Sequence, residues 1–331
     1  MRTIVRLLTV LLVIAVFCGG ALIGEGWRFS APGPWARHGN ETLVEIASGE
    51  SLWNIAKRLG DAGVIDSAPL FAAGVRLRGQ SSLLRAGEFA IPSRASMEDI
   101  AAILIVGRPV EHKITAAEGL TSGMIARLIN AEPELTGPER LAPEEGTLLP
   151  ETYFFNRRAS RDSIFARMEQ AQMAFVSRAW DSRAPNLPFR TPQEAMILAS
   201  IVEKETAIPE ERRHIAAVFI NRLRLGMKLE SDPTVIYGIS RGYPLGHDIR
   251  ASELSYATAY NTYVIPGLPP TPICNPGKEA IMAVLNPEHS PDLYFVADGT
   301  GGHAFASSKN EHDRNVARWR KLESASLRLK L

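Results

Sequence analysis

The stretch from Thr191 to Pro209 leaves a folding chain little choice. Thr191 stands at a cap position, Pro192 takes the first helical position, and Glu194 follows three residues after the cap, the pattern of a capping box. Pro209 stops or restarts the backbone, so the helix ends near Ala207. At about 100° per residue, Ala195, Leu198, Ala199, Ile201 and Val202 form an apolar arc centred between Leu198 and Val202. Such a helix belongs in a core, yet its closing turns read "ILASIVEKETA", with Glu203 and Glu205 on either side of Lys204. Glu205 comes seven residues after Leu198 and three after Val202, inside the arc, whereas Glu203 lies on its flank near Met196 and Lys204 points away. The pattern therefore selects Glu205 as the carboxylate pressed against apolar surroundings. Burial and the negative end of the helix dipole both disfavour its charged form, which predicts an acid still protonated near neutral pH. A neutral carboxyl in a cleft can donate a proton to a departing oxygen. The other reading is a structural glutamate that caps backbone amides or pairs with Arg212 or Arg222.

A second constraint lies at the N-terminus. Leu7 to Gly24 (LLTVLLVIAVFCGGALIG) is 18 residues without a charge, preceded by Arg2 and Arg6. That is long enough to span a bilayer, and the arginines predict residues 1–6 in the cytoplasm and everything after about Glu25 outside. A cleaved signal peptide is the alternative, but no A-x-A-like site follows the run closely, which favours an uncleaved anchor. Phe17 suits lipidation of Cys18 poorly, and Cys274 is left without a partner, so no disulfide framework is expected. The 37 Lys+Arg and 36 Asp+Glu give a net charge of +1, and no charge field marks a nucleic-acid binder. With 331 residues and 45% hydrophobic content, the chain can hold one large domain or two modest ones.

Residues 25–41, with two prolines and two glycines in "WRFSAPGPWARHGN", read as a linker. A repeated phrase follows: "VEIASGESLWNIAKRL" (44–59), "AIPSRASMEDIAAIL" (90–104) and "KITAAEGLTSGMIARLI" (113–129). Each holds a β-type run, a polar turn, a Ser or Thr at a cap position (Ser51, Ser96, Thr121) and an apolar helix pattern. Leu52, Ile55, Ala56 and Leu59 share one helical face; Met97, Ile100, Ala101 and Leu104 share another. The strand and capped helix around "GESLWNIA" resemble a LysM domain over residues 42–107, which implies binding of N-acetylglucosamine-containing glycans; a small α+β packing module without a ligand is the other reading.

Beyond residue 108 the patterns lengthen. "EEGTLLPETYFFNR" predicts an extended segment around Pro150, residues 160–180 a long amphipathic helix, and residues 210–225 a helix with Ile215, Val218, Phe219 and Leu223 inward. Residues 230–276 read as loop-rich, a helix follows from about Gly277 to Leu285, "DLYFVADGTGGHAFAS" is a hairpin turning at Asp298–Gly302, and the basic tail (about 308–325) is an exposed helix. The expected fold class is α+β: an N-terminal transmembrane helix, a LysM-like module, and a mainly helical catalytic domain with a small antiparallel sheet.

"LLPETYFF", "ASIVEKET", "VFINRL", "SDPTVIYG", "AYNTY", "GLPPTPICNPG" and "LYFVADGTGGHAF", in that order, resemble the endolytic murein transglycosylase (YceG-like) family over about residues 40–320. The resemblance implies an inner-membrane, single-pass protein whose periplasmic part, with residues 108–331 as catalytic domain, cuts nascent peptidoglycan glycan strands. Its implied partners are those strands, the inner membrane and the cell-wall synthases of the division or elongation machinery. Lytic transglycosylases place their catalytic glutamate before a Ser or Thr, a pattern that Glu205-Thr206 fits and Glu203-Lys204 does not. By resemblance Glu205 protonates the oxygen between N-acetylmuramic acid and N-acetylglucosamine, then takes the proton of the muramyl C6 hydroxyl as that oxygen attacks C1, leaving a 1,6-anhydro end.

The other motifs are then candidates for the glycan groove: Asn261 and Tyr263, Asp232 and Thr234, Glu151 and Tyr153, and Thr206 beside the glutamate. Turn caps or buried hydrogen bonds are the alternative roles. His303 could reach the groove or be solvated. The absence of H-E-x-x-H and C-x-x-C gives a metal little support, "GTGGH" lacks the Lys-Ser/Thr of a phosphate loop, and no cofactor is implied. A non-catalytic glycan-binding scaffold and a hydrolytic muramidase are the rival functions.

Overall fold

The computed structural model describes residues 27–329. The Leu7–Gly24 run lies outside the described residues, and among those described no helix is long and apolar enough to cross a membrane. The chain divides into two compact units: residues up to His112 together with Phe154–Arg158, and Lys113–Tyr153 together with Ala159 onward.

In the first unit β1 (Glu41–Ile46), α1 (Leu52–Asp61), α2 (Ala68–Leu77), β2 (Gly87–Pro92) and α3 (Met97–Val106) follow in order. β1 and β2 pair antiparallel, with Val44 opposite Phe89. Val44, Ile46, Phe89 and Ile91 are buried against Ile55 and Leu59 of α1, Phe71 and Val75 of α2, and Ile100 and Leu104 of α3. α2 stands outside the repeated strand-turn-helix phrase; its own signals are Ser67, which accepts from Leu70 N at 3.3 Å, and Pro69 in the first turn. Gly74 is required there, because a Cβ would come within 2.3 Å of the Phe29 ring.

The three phrases do start alike. Ser51, Ser96 and Thr121 each accept from the backbone N–H three residues on, at 3.3, 3.1 and 3.3 Å.

β3 (Glu111–Thr115) and β4 (Thr152–Asn156) form a second two-stranded sheet. The second unit contains α4 (Ser122–Asn130), α5 (Arg161–Asp181), α6 (Pro192–Glu205), a 3-10 turn at Pro209–Glu211, α7 (Arg212–Arg224), α8 (Asp232–Ser240), α9 (Ala251–Leu254) and α10 (Lys278–Leu285). The antiparallel hairpin of β5 (Tyr294–Ala297) and β6 (His303–Ala306) precedes α11 (Lys309–Leu329). Helices with small two-stranded sheets make the α+β class plain.

α6 is the axis of this unit. Its capping box is formed, with Glu194 N donating to Thr191 Oγ1 and Thr191 N to Glu194 Oε2. All eight residues from Ala195 to Val202 are buried, so the apolar arc widens to the whole circumference. The reason is packing on several sides: Leu198, Ile201 and Val202 share one core with Ile215 and Phe219 of α7 and Ile281 and Val284 of α10. Ser200 is tolerated in that core because its hydroxyl donates to Ile197 O and accepts from Ile273 N.

Two expectations need correction. The loop-rich reading of residues 230–276 misses α8, whose start is signalled by Ser231 at the N-cap and Asp232-Pro233 in the first turn. On α7 Leu223 is only half-buried, while Arg222 is buried, because backbone carbonyls surround its guanidinium.

Candidate active site

α6 ends on Glu205, and Thr206 turns the chain into an extended conformation, its hydroxyl accepting from Ile208 N at 3.0 Å. The last side chain of the helix thus reaches the edge of the core, where a cleft of about 420 Å³ opens. Glu205, Asp232 and Glu230 bring carboxylates to it; Arg222, Tyr263 and His312 bring nitrogen and phenol groups; Leu229, Phe295 and Val296 supply apolar wall.

The Ser231 hydroxyl donates to Glu205 Oε1. Among the described residues no group hydrogen-bonds Oε2, so when Glu205 is neutral its proton belongs on that free oxygen. Burial pushes the carboxyl up to about 7, and the negative charge of Asp232 adds to this, while the Ser231 hydroxyl and the positive charge of Arg222 pull the other way. Glu205 therefore titrates near neutrality, able to give a proton and take one back.

Ser231 is itself fixed. Its N–H donates to Thr262 Oγ1 at 3.0 Å, and its carbonyl accepts from the Thr234 hydroxyl at 2.6 Å. The Thr262 hydroxyl then donates to Thr234 Oγ1 at 2.9 Å, so each hydroxyl spends its one proton once. Both threonines are fully buried. They support Ser231 from behind, which positions the glutamate.

The other sequence candidates fall into two groups. Asp232 and Tyr263 line the cleft, the phenol donating to Asp232 Oδ1 at 2.7 Å. Asn261 lies behind it: its amide donates to the carbonyls of Tyr256 (2.8 Å) and Leu254 (3.0 Å), and its Oδ1 accepts from Tyr263 N at 2.9 Å. Glu151 pairs with Lys278 on the surface and Tyr153 donates to Leu149 O at 2.9 Å; neither lines this cleft. Glu203 accepts from Gly277 N at 2.9 Å, the N-cap of α10, and is a structural carboxylate. His303 pairs with Glu211 at 2.6 Å.

Ser231, Arg222 and His312 were not legible as site residues. Ser231 precedes the Asp-Pro pair that drew attention to its motif. Arg222 is legible only as an ion-pair partner for a structural Glu205, and His312 sits on a tail helix expected to be exposed. His312 stacks on Tyr294 at 5.1 Å, and its Nδ1 is buried without a partner.

Removing the Ser231 hydroxyl has a defined sign. It favours the ionised form of Glu205, so Ser231→Ala raises the glutamate's pKa and moves the alkaline limb of any reaction needing the acid form to higher pH. A pH–rate profile checks this; an unmoved limb means the hydroxyl does not act on the titrating group.

A family model described as YceG-like matches residues 44–318. The chain belongs to the YceG-like family. Among its relatives is an endolytic murein transglycosylase of Streptococcus pneumoniae serotype 2, 29% identical over 321 residues, covering 83% of this chain and 57% of that one. This chain thus spans little more than half the length of that relative. An endolytic murein transglycosylase of Bacillus subtilis is 28% identical over 305 residues, covering 82% of each chain. The crystal structure of a YceG-like protein from Listeria monocytogenes aligns with a TM-score of 0.51 at 28% identity, covering 84% of this chain and 99% of that one.

Proposed function

We propose that this YceG-like protein is a membrane-anchored endolytic peptidoglycan lytic transglycosylase. The observation that carries the reading is Glu205 itself: a carboxyl with a pKa raised to about 7, one oxygen held by Ser231 and the other free beside an open cleft. The names of the pneumococcal and Bacillus relatives support the same activity.

In the proposed reaction the Oε2 proton passes to the glycosidic oxygen between N-acetylmuramic acid and N-acetylglucosamine as the muramyl C1–O bond breaks. The muramyl C6 hydroxyl forms the new bond to C1, and its proton returns to Glu205. The products are a free glucosamine C4 hydroxyl and a 1,6-anhydromuramyl end, no water is consumed, and the acid is regenerated. Asp232 and Tyr263, joined by their hydrogen bond, offer polar contacts to the sugar; Phe295 offers an apolar face.

Residues 7–24 form the single membrane span, with residues 1–6 in the cytoplasm and the rest in the periplasm, and 25–41 as a linker that docks on the first unit through Phe29, buried against Phe71. Residues 42–107 are a LysM-like glycan-binding module, a reading supported by the strand-helix-helix-strand order with its outer strands paired. Residues 108–331 are the catalytic domain. Acting beside cell-wall synthases of the division or elongation machinery, the enzyme terminates or releases growing strands.

The test is to incubate the full chain with uncrosslinked glycan strands and read the fragments by mass spectrometry. Anhydromuramyl ends are expected. Reducing ends, heavier by one water, make the protein a muramidase in which Asp232 or Glu230 activates water. Binding without any fragments leaves a glycan-binding scaffold.

A further inference from the structure

The last turn of α6 serves two recesses. Glu205 lines the cleft described above, and its neighbour Lys204 lines a second recess of about 300 Å³. The start of α8 divides in the same way, Asp232 facing the first and Pro233 the second. Two adjacent residue pairs therefore separate the recesses.

Their chemistry is opposite. The first carries three carboxylates, and its arginine is committed to carbonyls and to Glu230. In the second, Lys204 is the one charged lining residue, among apolar surfaces from Pro233, Ile236, Ile273 and the Tyr237 ring. The ammonium has no ion-pair partner among the described residues; its polar contact is a 3.5 Å approach to Gly119 O. Glu203, adjacent in sequence, already accepts from Gly277 N. A cation with its charge unspent, on an apolar recess one residue from the acid, suits a carboxylate carried on a short aliphatic arm.

We propose that this recess is a carboxylate-binding subsite in which Lys204 holds the acidic arm of the muramyl ring and thereby sets the register of cleavage. The inference rests on the transglycosylase reading. The two alternating sugars of the strand share an acetamido group and a C6 hydroxyl, so Glu205 alone does not distinguish them. Shifted by one sugar, the same chemistry would produce an anhydroglucosamine end. Only the muramyl ring carries the lactyl arm, which ends in a carboxylate when bare and in the carboxylates of a peptide stem when substituted.

The experiment compares the full-length wild type with Lys204→Met and Lys204→Arg. Each is given strands with stems, strands with stems enzymatically removed, and both with their carboxylates capped as methylamides. Lys204→Met is expected to lower kcat/KM about tenfold on the uncapped strands, chiefly through KM, the size of one charge-assisted hydrogen bond. Anhydroglucosamine ends then emerge in the mass spectra, Lys204→Arg recovers most of the loss, and capping lowers the wild type to the level of the Met variant. Loss confined to stem-bearing strands assigns the stem carboxylate; loss on stripped strands as well extends the subsite to the lactyl carboxylate. Equal rates for wild type and Lys204→Met on every uncapped strand overturn the proposal, as does a loss that persists undiminished on capped strands. A wild type that leaves no anhydro ends on any strand refutes the transglycosylase reading instead.

Discussion

Glu205→Gln will fold, will bind strands, and will cut them roughly a thousandfold more slowly or not at all, in keeping with the loss of a positioned general acid. The amide has nearly the shape of the acid, and its carbonyl can still accept from Ser231, but it has no proton to give the leaving oxygen. The same substitution should stabilise the protein, with a distinctive pH dependence. A glutamate whose pKa rises from 4.5 in the unfolded chain to about 7 in the fold opposes folding once it must ionise. Below pH 4.5 both states hold the proton and the penalty vanishes; it grows between 4.5 and 7 and is complete above 7. That interval corresponds to roughly 3 kcal/mol, and because one edge of the carboxyl meets the cleft we expect about 1–2 kcal/mol in practice. Urea denaturation should therefore show Glu205→Gln more stable than wild type at pH 8 and equal to it at pH 4. A variant less stable at both pH values would make Glu205 a structural residue and sink the catalytic assignment.

Arg222→Ala should have the largest effect on stability around the site. The guanidinium donates to Leu293 O at 2.6 Å, Leu229 O at 2.9 Å and Lys228 O at 3.1 Å, and pairs with Glu230 at 3.1 Å. It ties α7 to the entry of β5 and to the loop before α8, which carries Ser231. Removing it leaves three carbonyls short of a donor and a void where the side chain lay, which costs about 3–5 kcal/mol. For a unit of this size the melting temperature should fall by roughly 6–15 °C. The positive charge also holds the Glu205 pKa down, so any residual activity should show its alkaline limb at higher pH. Arg222→Lys separates the two roles: it keeps the charge without the planar fork, so it should lose most of the stability while shifting the limb less. A melting temperature unchanged in Arg222→Ala would mean that the loop before α8 is held by other contacts.

Much of this site could be read locally because its signals are local. Thr191, Pro192 and Glu194 bound α6 within one turn, and the 100° period singles out Glu205 over Glu203 without knowledge of any neighbour. The hairpin at Asp298–Gly302 and the Ser or Thr caps of the three repeated phrases are likewise contacts between residues a few positions apart. Candidates read from motif chemistry alone divided more evenly. Asp232 and Tyr263 reach the cleft, while Asn261 and Thr234 spend their polar atoms bracing the loops behind it. An amide that lines a groove and one that braces it from behind have the same sequence signature.

Capping and periodicity alone require a helix that ends on a carboxylate facing apolar neighbours, since both act over a few residues and each end carries its own stop signal. Which groups meet that carboxylate depends on contacts far apart in the chain. Ser231 arrives from 26 residues away, with its hydroxyl on one carboxyl oxygen only. Arg222 turns inward because the Leu229 carbonyl, seven residues on, and the Leu293 carbonyl, 71 residues on, meet its guanidinium, and His312 comes from a tail helix that looked purely polar. These are long-range hydrogen bonds and shared burial, and no periodicity in the chain encodes them. The identity of the acid is a local property of α6; its pKa and the side of it that faces the cleft belong to the fold.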